Sequence, residues 1–334
     1  MMATEVLEHY LAPLRSLLKP ADVTELVVNR PCEVGVERTD GWSWACVPEL
    51  SYDWLSTLAI AAAAHTRQDI GPDLPLCSTV LPGGERCQIV VPPATPEGCI
   101  SLTIRKPATA AFDIDALAAA GLFRDTAETA CGLSAEDQEL LALKSARAWA
   151  GFFKLAVRTR KNILVSGATG SGKTTFAKAL IAHIPTHERL ITIEDARELV
   201  APHRNLIHLT YARDGRGISQ AGVKELLESA LRMRPDRILL QELRDSAAFL
   251  YLRNVCSGHP GSITTIHADS TALAFEQMTL LVRESEAGRD LPRADVRNLL
   301  VLLVDIVVQM RRVGGRFAMM EVYFDPVRKH GAGS

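Results

Sequence analysis

The sequence predicts an α/β protein: a largely parallel sheet with helices on both faces, preceded by a smaller α+β unit with an antiparallel sheet. Three observations predict it. From about residue 134 onward, short apolar runs alternate with helical stretches, the pattern that parallel strands joined by crossover helices produce. Inside that half, residues 163–175 read ILVSGATGSGKTT, an apolar run, a glycine-rich turn and then a helical pattern. Ahead of it, residues 1 to about 106 hold one helical stripe and then short β-like runs separated by turn residues. At 334 residues the chain has room for two cores.

Residues 4–18 place Leu7, Tyr10, Leu11, Leu14, Leu17 and Leu18 on one helical stripe, closed by Pro20. Pro13, inside the stripe, is expected to kink or divide it, because proline lacks the N–H that a helix interior requires. Strands are expected at 25–29, 33–37 and 43–47, and a helix at 53–66 around the alanine run 61–64. Further strands follow at 77–81, 87–91 and 100–105, the first two joined by Pro82-Gly83-Gly84. Residues 107–132 shift to alanine with Pro107, Gly121 and Gly132 as punctuation, and read as an interdomain connector with a short helix at 114–120. The boundaries are therefore 1–106 for the first domain and 133–328 for the second.

The second domain opens on Ser134-Ala135-Glu136-Asp137, a helix-capping pattern ahead of a helix carrying Leu140, Leu141, Leu143 and Trp149. Strands are expected at 163–165, 190–193, 206–209, 238–240, 262–266 and 304–310, and a closing one at 317–324 after Gly314-Gly315. Helices are expected at 223–233, 246–255, 271–286 and 293–302, and residues 330–334 read as a frayed tail.

The stretch Gly167, Ala168, Thr169, Gly170, Ser171, Gly172, Lys173, Thr174 fits the P-loop spacing: a glycine, four free residues, then Gly-Lys-Thr. Glycines let the backbone curl until several N–H groups point at one spot and hold phosphate oxygens. Lys173 would supply a charge for β- and γ-phosphates, and the Thr174 hydroxyl would take Mg²⁺. Thr175 completes the first turn of a helix whose positive end faces the same anion. Binding alone is not hydrolysis, which needs carboxylates at neighbouring strand ends. Two apolar runs end that way, ITIED in Glu194-Asp195 and ILLQE in Glu242. A third, in SGHPGSITTIHADS (257–270), ends in His267, an imidazole able to contact a γ-phosphate.

Composition narrows the classes. Hydrophobic residues make up 47% and charged residues 23%, which excludes a largely disordered chain. A net charge of -2 argues against a polyanion-binding surface, and no sequence-specific nucleic-acid binding is expected. The basic cluster Arg158-Thr159-Arg160-Lys161 reads as a solvated turn. The seven cysteines, at 32, 46, 77, 87, 99, 131 and 256, contain no Cys-x-x-Cys pair and suit a reducing compartment. The N-terminus has no basic region typical of a signal peptide, and the most apolar stretch, 299–310, is too short to span a membrane. The expectation is a cytoplasmic protein that can sit on a membrane surface.

Taken together, residues 167–175, 191–200 (ITIEDARELV), 234–244 (RPDRILLQELR) and 257–268 resemble the Walker A, Asp box, Walker B and His box of the type II/IV secretion ATPase superfamily. The similarity is greatest to the hexameric traffic ATPases of bacterial type IV secretion, and TELVVNRP (24–31), GERCQIVVPP (84–93) and SLTIRKP (101–107) resemble their N-terminal domain. The resemblance implies a RecA-like P-loop NTPase fold, ATP as substrate and Mg²⁺ as cofactor. It further implies a homohexamer peripheral to the inner membrane, with secretion-channel components, the coupling ATPase and secretion substrates as partners. By the same resemblance Glu194 orients the attacking water or the metal shell. Glu242 polarises water and supports Mg²⁺, and His267 contacts the γ-phosphate. Arg86 and Arg105 reach the phosphates from the first domain across the cleft. Gln241 stands where many members have glycine. Two alternatives remain: a type II secretion or pilus ATPase, and a nucleotide-gated scaffold with little turnover.

Overall fold

The computed structural model describes residues 2–107, 113–126, 132–213, 217–245 and 247–331. Parts of the expected connector (108–112 and 127–131, with Cys131), the expected helix start at Ser246 and the tail residues 332–334 lie outside the described residues.

The first unit is a six-stranded antiparallel sheet in the order β3-β2-β1-β6-β5-β4. Its strands are β1 (Glu25–Arg30), β2 (Glu33–Arg38), β3 (Gly41–Cys46), β4 (Leu76–Val80), β5 (Arg86–Val90) and β6 (Ser101–Arg105). Helices α1 (Met2–Leu18) and α2 (Tyr52–His65) cover one face. The period-2 alternation of strands decides what each face carries. Leu26, Val28, Ile104 and Cys87 point into the core under the two helices, together with Leu7, Leu11 and Leu14 of α1. The intervening residues Glu25, Asn29, Thr103, Arg105, Arg86 and Gln88 form a polar face turned the other way. Pro13 does not divide α1, which runs through it as one helix. The buried leucines on both sides of the proline hold the helix on the sheet, so packing outweighs the lost backbone bond.

Short helix α3 (Ile114–Ala119) precedes the second unit. There the helix expected to carry both Leu140 and Trp149 is two helices, α4 (Ala135–Ser145) and α5 (Trp149–Arg158). Arg147 between them adopts φ 54°, which no helix interior accommodates. The Ser134 hydroxyl caps α4 by accepting from Asp137 N at 3.1 Å.

The sheet strands are β7 (Ile163–Gly167), β8 (Leu190–Glu194), β9 (Leu206–Thr210), β10 (Arg237–Leu240), β11 (Ile263–Ile266), β12 (Ile306–Val313) and β13 (Arg316–Phe324). Two ladders, β10-β8-β9 and β11-β7-β12-β13, are joined where Leu243 N donates to Thr265 O at 2.8 Å and Glu242 bridges Thr265. The order is thus β9-β8-β10-β11-β7-β12-β13, parallel except for β13. Helices α4, α5 and α6 (Lys173–Ile181) pack on one face around Phe152, Ala177 and Leu180. Helices α7 (Val223–Ala230), α8 (Ala247–Cys256), α9 (Thr271–Glu284) and α10 (Arg293–Leu303) pack on the other around Leu226, Phe275 and Leu300. One further helix, α11 (Pro326–Gly331), follows β13. The P-loop strand is central and is separated from the ILLQE strand by β11, the arrangement of a RecA-like P-loop NTPase.

The two units meet along the strand-start edge of this sheet and also beside β9, where Thr210 N donates to Ala94 O at 2.9 Å. Arg189, fully buried just before β8, donates to Met233 O and Asn29 Oδ1 at 2.8 Å each and to Thr103 Oγ1 at 3.3 Å. Arg234, before β10, pairs with Glu37, and Arg204, before β9, with Glu33 at 2.9 Å. The polar face of the first sheet therefore rests on the edge opposite the P-loop.

Candidate functional site

The P-loop leaves the end of β7 and enters α6 through Gly172, whose φ of +92° is open to glycine at little cost. Lys173, 7% exposed, folds back over the loop and donates to Gly167 O at 2.7 Å and Ala168 O at 3.0 Å. Burial holds its pKa below the usual lysine range, Glu242 opposing and Arg244 reinforcing that shift. Ser171 is buried inside the loop, and its Oγ has no hydrogen-bond partner among the described residues. Thr169 and Thr175 are exposed and Thr174 is half-buried. A buried hydroxyl without a partner, beside left-handed glycines at the positive end of a helix, is the cradle that a phosphate chain fits.

The strand order places the remaining groups in a line along the same edge. Moving from β7 across β11 and β10 to β8, the side chains met are Lys173, His267, Glu242 with Arg244, and Asp195. Lys173 Nζ lies 3.5 Å from His267 Nδ1, and His267 Nε2 lies 2.6 Å from Glu242 Oε1. Arg244 grips the other oxygen of Glu242 and reaches Asp195 at 3.9 Å. Lys173, Glu242 and His267 are thus brought together. Arg244 was missed by sequence reasoning, although its place two residues after the strand-end carboxylate was a usable signal.

Glu194 stands apart from this line. Thr192 and Glu194, two apart on β8, share a face, and Glu194 is fully buried. Its Oε1 accepts from the backbone N–H groups of Glu198 and Leu199 at 2.8 and 2.7 Å. Its Oε2 accepts from Thr192 Oγ1 at 2.9 Å and lies 3.4 Å from His208 Nδ1. Burial pushes its pKa up, but the bonds from His208, the two amides and Thr192 outweigh that and hold it below the usual range. With both oxygens engaged, Glu194 shapes the loop that carries Asp195 to the edge.

Arg86 and Arg105 are opposite each other on β5 and β6 and line a cavity of about 820 Å³ with Arg232, Arg234 and His259. These last three precede β10 and β11, so the cavity opens at the strand-start edge. A strand of five residues spans roughly 17 Å, which separates the two arginines from Lys173. The expectation that they reach the phosphates across the cleft of their own chain is not met in this structure. Sequence reasoning placed the arginines in the first domain, but not the edge against which its sheet would pack.

Glu25 lies in the same cavity wall, 4% exposed, opposite Arg105. Burial raises its pKa to about 7, with Arg105 acting in the opposite direction. A carboxyl whose folded pKa lies above its unfolded value binds more protons when folded, so stability falls as pH rises from about 4.5 through 7. Glu25→Gln is therefore expected to raise stability by about 1–3 kcal/mol at pH 8 and to change little at pH 4. Urea denaturation of both chains at the two pH values checks this; a gain that is equal at both would refute the assignment.

The family model described as "Type II/IV secretion system protein" matches residues 136–310. The chain is 49% identical to the type IV secretion system protein VirB11 of Bartonella quintana (strain Toulouse), over 96% of this chain and 93% of the relative. It is 44% identical to VirB11 of Brucella suis biovar 1, over 96% of this chain and 90% of the relative. Among solved structures it is similar to the VirB11 ATPase of the Brucella suis type IV secretion system, crystallised in complex with sulphate, with a TM-score of 0.94 at 42% identity. That alignment covers 99% of this chain and 98% of the other.

Proposed function

The chain belongs to the type II/IV secretion system protein family, and from that membership we propose that it hydrolyses ATP to energise type IV secretion. The line Lys173, His267, Glu242 carries this reading, because it joins a phosphate-binding cation to a carboxylate at the next-but-one strand end. The backbone N–H groups of Gly170, Gly172 and Lys173 would hold phosphate oxygens, and Lys173 would exchange the carbonyls of Gly167 and Ala168 for β- and γ-phosphate. Glu242 would leave Arg244 and polarise the attacking water, with His267 between it and the γ-phosphate. Thr174 and Glu242 are hard oxygen donors, too few for a closed cage, which suits a Mg²⁺ completed by phosphate and water. When bound, that ion would neutralise charge on the transferred phosphoryl group.

Arg86 and Arg105 would act on a different copy of the chain. Facing away from their own P-loop, they complete a site only if a second subunit brings its nucleotide to the cavity of the first. A closed ring satisfies every such head-to-tail contact, and the resemblance to the hexameric traffic ATPases sets its number at six, a homohexamer. Association with the inner membrane would be peripheral, since no helix among the described residues is long and apolar enough to cross one. Its partners would be the channel components, the coupling ATPase and the secretion substrates. The full-length similarity to VirB11 relatives favours type IV secretion over a type II or pilus system.

Glu242→Gln separates the motor from a scaffold. A motor loses about 10²-fold or more of its turnover, since the carboxylate's role in activating water goes while phosphate binding stays. Phosphate release and ADP affinity, measured side by side, give the answer. Slow turnover that the substitution leaves unchanged would favour the nucleotide-gated scaffold.

A further inference from the structure

The β12-β13 hairpin overhangs the P-loop. β12 runs beside β7 as far as Met310, opposite Gly167, and then continues three residues beyond the point where β7 ends. It turns at Gly314 and Gly315, with φ of +56° and +80°, and returns so that Phe317 lies opposite Arg312. Residues 311–317, RRVGGRF, are all exposed and contain three arginines and no acid.

Phe317 is the one aromatic in this overhang. A Cβ built on Gly172 would stand 2.7 Å from Phe317 Cγ and 2.8 Å from Cδ1, so the ring lies against the glycine that caps α6. It nevertheless remains 55% exposed and joins none of the hydrophobic cores formed by the described residues. An aromatic held at the rim of a phosphate cradle, with an open side and cationic neighbours, is the surface on which a nucleobase stacks.

Building on the ATPase reading above, we propose that Phe317 is the stacking platform for the base of the bound nucleotide. The phosphates anchor at the start of α6, and the nucleoside extends toward the hairpin and is covered by the ring. Stacking accepts any base face, so this contact supplies affinity without choosing among purines.

Titration calorimetry of the full chain with ADP and with inorganic tripolyphosphate tests the assignment. Phe317→Ala should weaken ADP about tenfold and leave tripolyphosphate unchanged, while Phe317→Trp should keep ADP affinity near that of the unaltered chain. Equal weakening of both ligands would show that the ring only supports the loop, and unchanged ADP affinity would show that it meets no base; either overturns the proposal. Failure of the unaltered chain to bind ADP at all would instead remove the ATPase reading, and the proposal with it.

Discussion

Lys173→Ala is expected to abolish ATP turnover, lowering phosphate release by about 10³-fold or more, while the chain still folds. The ammonium is the only lysine on the P-loop, and its present bonds go to carbonyls of the loop itself. Among the described residues its one hydrogen-bond approach to another element is that to His267 at 3.5 Å. Its pKa is already lowered, burial being the main cause, so the folded state holds this charge at some cost. Thermal unfolding should change little, and circular dichroism should be that of the unaltered chain. Normal turnover in this variant would remove the P-loop assignment.

Arg105→Ala should lower turnover by about 10²–10³-fold although the residue lies outside the sheet that binds nucleotide. On the reading proposed above, a guanidinium supplied from another subunit would stabilise charge that develops on the phosphoryl group. Arg105→Lys should recover only part of the loss, because an ammonium cannot reproduce the planar fork. Binding of ADP should persist in both variants, since the cradle and Lys173 are untouched. Kinetics equal to those of the unaltered chain would exclude Arg105 from the site.

Much of the fold was legible because it rests on periodicity. The α/β alternation, the strand before the P-loop and the helix after it lie where the pattern placed them, within a few residues. The carboxylate of Glu242 and the imidazole of His267 were readable for the same reason: each ends an apolar run in the sheet that holds the P-loop strand, two strands and one strand away from it. What pattern could not supply was direction. Glu194 and Asp195 are equivalent as strand-end acids in the sequence, yet only one turns into the fold, where Thr192, His208 and two amides receive it. Pro13 signalled a break that the buried leucines of α1 override. Arg147 carried no breaking signal, and its left-handed conformation still divides α4 from α5. Arg86 and Arg105 show the largest gap, because which edge of one sheet receives the face of another depends on packing between units. Arg189, Asn29 and Thr103 set that packing, through hydrogen bonds between residues far apart in the chain.

The central claim is that each site is completed by arginines from a neighbouring copy. Mixed rings of Lys173→Ala and Arg105→Ala chains, each inactive alone, test it most directly. Where an Arg105→Ala subunit contributes the P-loop and a Lys173→Ala neighbour the arginine, an intact site forms. Random mixing at equal amounts makes about a quarter of the sites intact, so turnover should return to about that fraction. Mixtures as inactive as the separate variants would contradict the claim.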